Sequence, residues 1–164
     1  MNYQEIEQWL NEHYIKNYTI HENLVVDVDG DVDLANCELT NIPVSFNSVT
    51  GGFYCEKNHL ISLHNSPLTV GKHFYCYKNK ITSLQYSPRT VGGDLHFDNN
   101  KVESLQYFPD SIGSQIVGHL NKLRLTTQTE QSWALAIAKH ESVYFLLPNP
   151  TPAITALFKM LWEV

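Results

Sequence analysis

Apolar positions recur along the middle of the chain at a fixed interval of 21 residues. One column holds Val32, Phe53, Phe74, Leu95 and Ile116, and two positions later a second holds Leu34, Cys55, Cys76 and Phe97. A third runs through Leu39, Leu60, Ile81, Val102 and Leu123, and a fourth through Ile42, Leu63, Leu84 and Leu105. Val49, Val70, Val91 and Ile112 make a fifth, and Gly71, Gly92 and Gly113 directly follow its last three members. Pro67, Pro88 and Pro109 keep the same register, as do Asn58, Asn79, Asn100 and Asn121, with Cys37 one period before the first Asn. Columns that hold one register over four periods mark a stacked repeat, in which each unit buries its apolar face only against its neighbours.

Each unit has a local physical reading. Phe74-Tyr75-Cys76-Tyr77 alternates apolar-in with polar-out, the pattern of a short strand. The Asn that follows can hydrogen-bond backbone groups of the turn leaving that strand, and stacked copies would form a ladder. A second apolar pair, such as Ile81 and Leu84, turns the chain back over the core. Pro88 stiffens the return, and Gly92-Gly93 permits a tight re-entry into the next strand. Stacking predicts one parallel sheet with strands ~4.8 Å apart.

The ends differ from the middle. Residues 3–16 read as an amphipathic helix with Ile6, Trp9, Leu10 and Tyr14 on one face. Leu24, Val26 and Val28 then alternate with polar neighbours as a first strand leading into Val32 and Leu34, so residues 1–29 form an N-terminal cap. The repeats occupy 30–123. After Leu123 the period fails. Thr127 and Glu130 make a capping box opening a helix to about His140, and residues 143–147 (VYFLL) read as a strand or extended segment. A last helix starts at Thr151-Pro152 and places Ile154, Leu157, Phe158, Leu161 and Trp162 on one face. Residues 124–164 are thus a helical C-terminal cap, or an interaction segment for a partner or a second copy of the chain.

Composition narrows the class. The chain has 164 residues, 43% hydrophobic and 17% charged, an ordinary globular balance. No apolar stretch approaches the ~20 residues a spanning helix needs, so no membrane association is expected. The acidic start MNYQEIEQWLNEH is unlike a secretory signal, and three cysteines are too few for a disulfide framework. A reducing, cytoplasmic setting follows as an expectation. Eleven Lys and Arg against 17 Asp and Glu give a net charge of −6, opposite to that of most nucleic-acid-coating proteins.

The repeat resembles the leucine-rich repeat. The stretch GGDLHFDNNKVESL fits L-x-L-x-x-N-x-L-x-x-L through Leu95, Phe97, Asn100, Val102 and Leu105, and the Pro-x-x-Val before it resembles short repeats of secreted bacterial effector ubiquitin ligases. GGFYCEKNHLISL, GKHFYCYKNKITSL and VGGDLHFDNNKVESL look more like short leucine-rich-repeat proteins of bacterial and bacteriophage genomes, and the lead-in NYTIHENLVVDVDGDVDLANCELTNIP resembles the opening of the phage members. The resemblance covers about residues 18–123. It implies an α+β chain: a leucine-rich-repeat solenoid with one parallel β-sheet, a helical N-cap and a helical C-terminal cap. It further implies a phage accessory protein in the cytoplasm of an infected bacterium that binds and inhibits a host defence protein. The ligases' catalytic domain carries a nucleophilic Cys, whereas the last Cys here is Cys76, inside the repeats, so that activity does not carry over.

Function is expected on the outward positions of the strands. Tyr54, Glu56, Tyr75, Tyr77, His96 and Asp98, flanked by Lys57 and Lys78, make the candidate partner-binding face, because exposed tyrosines offer large contact area at little entropic cost. Cross-strand aromatic stacking for stability is the plainer reading of the same residues. Glu38, His59, Lys80, Lys101 and Lys122, with Lys57 and Lys78, form a margin that is basic after its first member. It is either a solvated charged edge or a nucleic-acid contact, which the overall charge disfavours. Asp27, Asp29 and Asp31 sit at calcium-loop positions one, three and five with Glu38 at twelve, but the required Gly is replaced by Val32, and a strand uses these residues better. Cys55 and Cys76 read as buried fillers. No metal, cofactor or nucleophile–base set is expected, so the chain reads as a non-catalytic binding module. An enzyme site within 124–164 is the remaining alternative.

Overall fold

The computed structural model describes residues 1–103, 106–118 and the backbone of 143–145. It opens with helix α1 (Tyr3–Glu12), closed at its start by a capping box. The Asn2 side chain accepts the Glu5 amide, and the Glu5 carboxylate accepts the Asn2 amide. Ile6 and Leu10 are buried against the first coil. The helix is shorter than the apolar spacing predicts. Tyr14 adopts φ 56° and is 86% exposed, so it ends the helix instead of lining its face, and Ile15 is the residue that buries.

Two strands then form an antiparallel pair, β1 (Tyr18–Ile20) and β2 (Val25–Val28). The predicted first strand is β2. Leu24 belongs to the turn, with φ 62°, and β1 was not anticipated because three residues carry too little alternation. From β2 onward the chain winds in parallel coils, each contributing one strand to each of two six-stranded sheets. The first sheet continues with β4 (Ser45–Val49), β6 (Thr69–Val70), β8 (Thr90–Val91) and β10 (Ser111–Ile112). The second contains β3 (Val32–Asp33), β5 (Phe53–Tyr54), β7 (Phe74–Tyr75), β9 (Leu95–His96), β11 (Ile116–Gly118) and β12 (Val143–Phe145). The fold is a parallel β-solenoid of about four turns with one N-terminal helix among the described residues.

The expectation of a single parallel sheet is therefore corrected to two. The stretch read as a proline-stiffened return carries its own strand, since exposed Thr69 and buried Val70 repeat at Thr90 and Val91 in register. Two residues of alternation per unit were legible only once paired across coils. The other predicted columns hold. Phe53 pairs with Phe74 and Phe74 with Leu95, the two rings stacking at 5.8 Å. The inward rows of both sheets share one hydrophobic core.

Two ladders fix the rise between coils. Asn79 is 9% exposed. Its Oδ1 accepts the Leu60 amide at 2.9 Å, and its Nδ2 donates to the carbonyls of Cys55 and Cys76 at 2.9 and 3.0 Å. Asn58 and Asn100 repeat these bonds one coil earlier and later. The glycine column answers a close approach. A Cβ on Gly92 would lie 2.1 Å from the Gly71 carbonyl oxygen, and one on Gly113 would lie 2.1 Å from that of Gly92.

The acidic run 27–33 serves register. Asp27 Oδ1 accepts from Ser48 Oγ (2.7 Å), the Ser48 amide and Asn47, Asp29 accepts from Thr50 Oγ1, and Asp31 accepts the Gly52 amide. Each carboxylate thus clamps the following coil. At the exposed edge of the second sheet, Asp33 accepts the Ala35 amide, which occupies a donor that another strand could use.

The predicted Leu105, Asn121, Lys122 and Leu123, the capping box at Thr127 and Glu130, and both C-terminal helices lie outside the described residues. Within 143–147 the predicted strand is β12, which extends the second sheet beside β11. No helix among the described residues is long and apolar enough to cross a membrane.

Candidate functional site

The outward rows of the second sheet bring the predicted residues together. Asp33, Tyr54, Tyr75, His96 and Val117 occupy one cross-strand row by direct pairing. Ala35, Glu56, Tyr77 and Asp98 stand two residues further along the same chain segments.

Tyr75 is the hub. Its ring stacks on His96 at 4.5 Å and meets Tyr54 edge-on at 5.4 Å, with Tyr77 at 6.3 Å and His73 at 5.5 Å. Such contacts stabilise the sheet, so both readings of the tyrosines draw on the same rings. The residues are half-buried instead of fully exposed, which holds the rings in place. Gly52 contributes by absence. A Cβ there would lie 2.3 Å from the Tyr54 hydroxyl, so the bare backbone is the seat for that ring. The sequence carried only a glycine doublet as a signal for this.

Burial raises the hydroxyl pKa of Tyr54, Tyr75 and Tyr77, and nearby carboxylates, Glu56 among them, push in the same direction. Burial also raises Glu56, reinforced by Asp33 and opposed by its own backbone hydrogen bond and by Lys57. His96 is lowered by burial, against the pull of Asp94 and Asp98. Glu56 Oε2 and His96 Nε2 are both shielded from solvent and meet no hydrogen-bonding partner among the described residues.

A row of side chains at the strand entry accepts amides of the next coil. Asp31 takes Gly52, His73 Nδ1 takes Asp94 at 3.1 Å, and Asp94 takes Gln115. His73 Nδ1 also lies 3.1 Å from the Asp94 carboxylate, a contact that would need a proton on the same nitrogen. The amide contact repeats along the row, so the ring proton belongs on Nε2. Burial acts to raise Asp94, but hydrogen bonds from Ser114 and Gln115 and the nearby His73 and His96 leave its pKa lowered.

Lys57 and Lys78 are exposed in left-handed turns at φ 56° and 54°. Lys78 Nζ lies 5.9 Å from the centre of the Tyr77 ring, a cation–π geometry within the face. His59, Lys80 and Lys101 are exposed along the predicted margin. Burial raises the thiols of Cys55 and Cys76 far from their ordinary range, which suits fillers. No cluster of three or more potential metal ligands occurs among the described residues. A cavity of about 640 Å³ at the proline corner is lined by Leu68, Tyr86, Pro88, Tyr107 and Phe108 among others, and its Ser87 hydroxyl donates to the Tyr107 carbonyl.

Comparison with protein-family models, with curated proteins and with solved structures finds no match.

Proposed function

We propose that the chain is a non-catalytic protein-binding module whose contact face is the outward side of the second sheet. The observation that carries this reading is the ring cluster around Tyr75, bordered by Glu56, Asp98 and Lys78 on a rigid repeat scaffold. Preorganised aromatics on a stiff backbone reduce the ordering cost of association. The motif likeness to short leucine-rich repeats extends the proposal to a bacteriophage accessory protein that acts in the cytoplasm of an infected bacterium and inhibits a host protein. A homodimer through the C-terminal helices is the corresponding proposal for 124–164. Nucleic-acid binding along Lys57, Lys78, Lys80 and Lys101 is disfavoured by the carboxylates that share the face.

The test is affinity capture from bacterial lysate with wild-type chain and with the Tyr75→Ala/Tyr77→Ala double variant. The expected result is loss of specific partners by the variant, equivalent to at least a tenfold weakening. Retention of every partner by a folded double variant would exclude this face.

A further inference from the structure

The face has a consistent sign. Asp31, Asp33, Glu56, Asp94 and Asp98 stand on or beside it against Lys57 and Lys78, and both lysines are at the turn. Much of this charge is committed to structure, since Asp31, Asp33 and Asp94 accept backbone amides and Asp98 accepts from Asn99. Glu56 differs. Its carboxylate lies among the three tyrosines, whose hydroxyls it influences, and its Oε2 has no partner. A shielded carboxylate oxygen with no donor is costly to hold. It sits on an outward face, so neighbouring side chains are what cover it, and a rotamer change uncovers it.

We infer that this face receives an arginine-bearing basic segment of the partner protein, the guanidinium pairing with Glu56 between the tyrosine rings. The inference rests on the protein-binding reading above. Arginine fits better than lysine because its planar group donates to a carboxylate through two parallel N–H bonds while stacking on an aromatic ring. Lys78 over Tyr77 is an internal example of a cation resting on one of these rings. Asp98 and Asp33, on either side of Glu56, supply a wider negative field that draws a basic segment toward the face.

The experiment titrates the full chain calorimetrically with short Gly/Ser peptides carrying arginines, lysines or glutamates. The arginine peptide binds, the lysine peptide binds about threefold or more weakly, and the glutamate peptide does not bind. Glu56→Gln, nearly isosteric, weakens the arginine peptide about tenfold, and Asp98→Asn weakens it by a smaller factor. Thermal melts verify that both variants fold. Equal binding of arginine and glutamate peptides, or an arginine affinity unchanged in both variants, overturns the inference. Spermine binding as tightly as the arginine peptide, or a single-stranded oligonucleotide outcompeting it, overturns it in favour of another ligand class. If the arginine peptide fails while Tyr75→Ala/Tyr77→Ala still abolishes partner capture, the cationic segment is wrong and the protein-binding face stands. If Glu56→Gln weakens the peptide while capture survives the double variant, the reverse holds.

Discussion

The two sheets are built by the same coils, share one interior and keep the same period, yet their outer rows are unlike. On the first sheet the row through β4, β6, β8 and β10 reads Ser48, Thr69, Thr90, Ser111. On the second the corresponding row reads Asp33, Tyr54, Tyr75, His96, Val117. Small hydroxylated residues suffice for a solvated pleat, and a repeat without further demands on it keeps them from coil to coil. The second row changes chemistry at almost every coil and concentrates rings and carboxylates. A period kept inside and abandoned outside separates what the fold requires from what an irregular partner requires.

The comparison breaks first if the shared interior is not what holds both faces. Asn79→Ala removes one Asn that bonds three buried backbone groups of two coils, and leaves the Leu60 amide and two carbonyls unpaired. The expected loss is about 3–5 kcal/mol in urea denaturation, the largest effect of any polar substitution here. A loss below about 1 kcal/mol would show that coils register without the ladder.

At the N-terminal end of the first sheet, hydrogen bonding by Ser48 overcomes burial, and with His21 and Asn47 brings Asp27 to a pKa of about 2. The folded value is depressed, so its contribution is complete above the ordinary carboxylate pKa and fades as pH falls from about 4 toward about 2. Asp27→Asn costs roughly 1–2 kcal/mol at neutral pH, reduced from the full linkage value because the carboxylate is partly exposed. The gap between wild type and variant closes in acid. A gap that does not change with pH would mean that the Asp27 charge plays no part.

The smallest effect sharpens the contrast most. Burial raises Glu56, so its ionised form weighs against the fold above its folded pKa, and that penalty is relieved on protonation. Glu56→Gln is expected to raise stability by about 0.5–1 kcal/mol at neutral pH and by nothing below about pH 4, measured by thermal melting in parallel with Thr90→Ala. Thr90→Ala on the plain face is expected to stay within about 0.5 kcal/mol of wild type at both pH values. A stabilising substitution that also weakens binding marks a residue kept for recognition.

Much of this was legible beforehand because the repeat supplied its own alignment. The inward columns from Val32 to Ile116, the ladder role of the Asn column and the gathering of Tyr54, Tyr75, Tyr77 and His96 on one face follow from spacing alone. The second sheet did not, since Thr69-Val70 and its copies are two-residue strands that only lateral pairing makes regular. Tyr14 was misplaced because helical spacing cannot reveal a left-handed residue that ends the helix. The clamps made by Asp27, Asp29 and Asp31 were hidden behind a likeness to a calcium loop, and nothing local shows that their partners lie one coil ahead. The orphaned oxygen of Glu56 depends on how neighbouring side chains close over it, which no one-dimensional pattern contains.

The Asn ladder has an evolutionary corollary. Asn58, Asn79 and Asn100 grip only main-chain atoms of their own and the preceding coil, so the grip is indifferent to which side chains those coils display. A unit of 21 residues can therefore be duplicated or deleted as a cassette, lengthening or trimming the outer surface by one strand spacing of ~4.8 Å while the stack stays in step. Ligand choice can drift by point changes on the tyrosine-bearing rows while reach is adjusted by copy number, two independent dials on one scaffold.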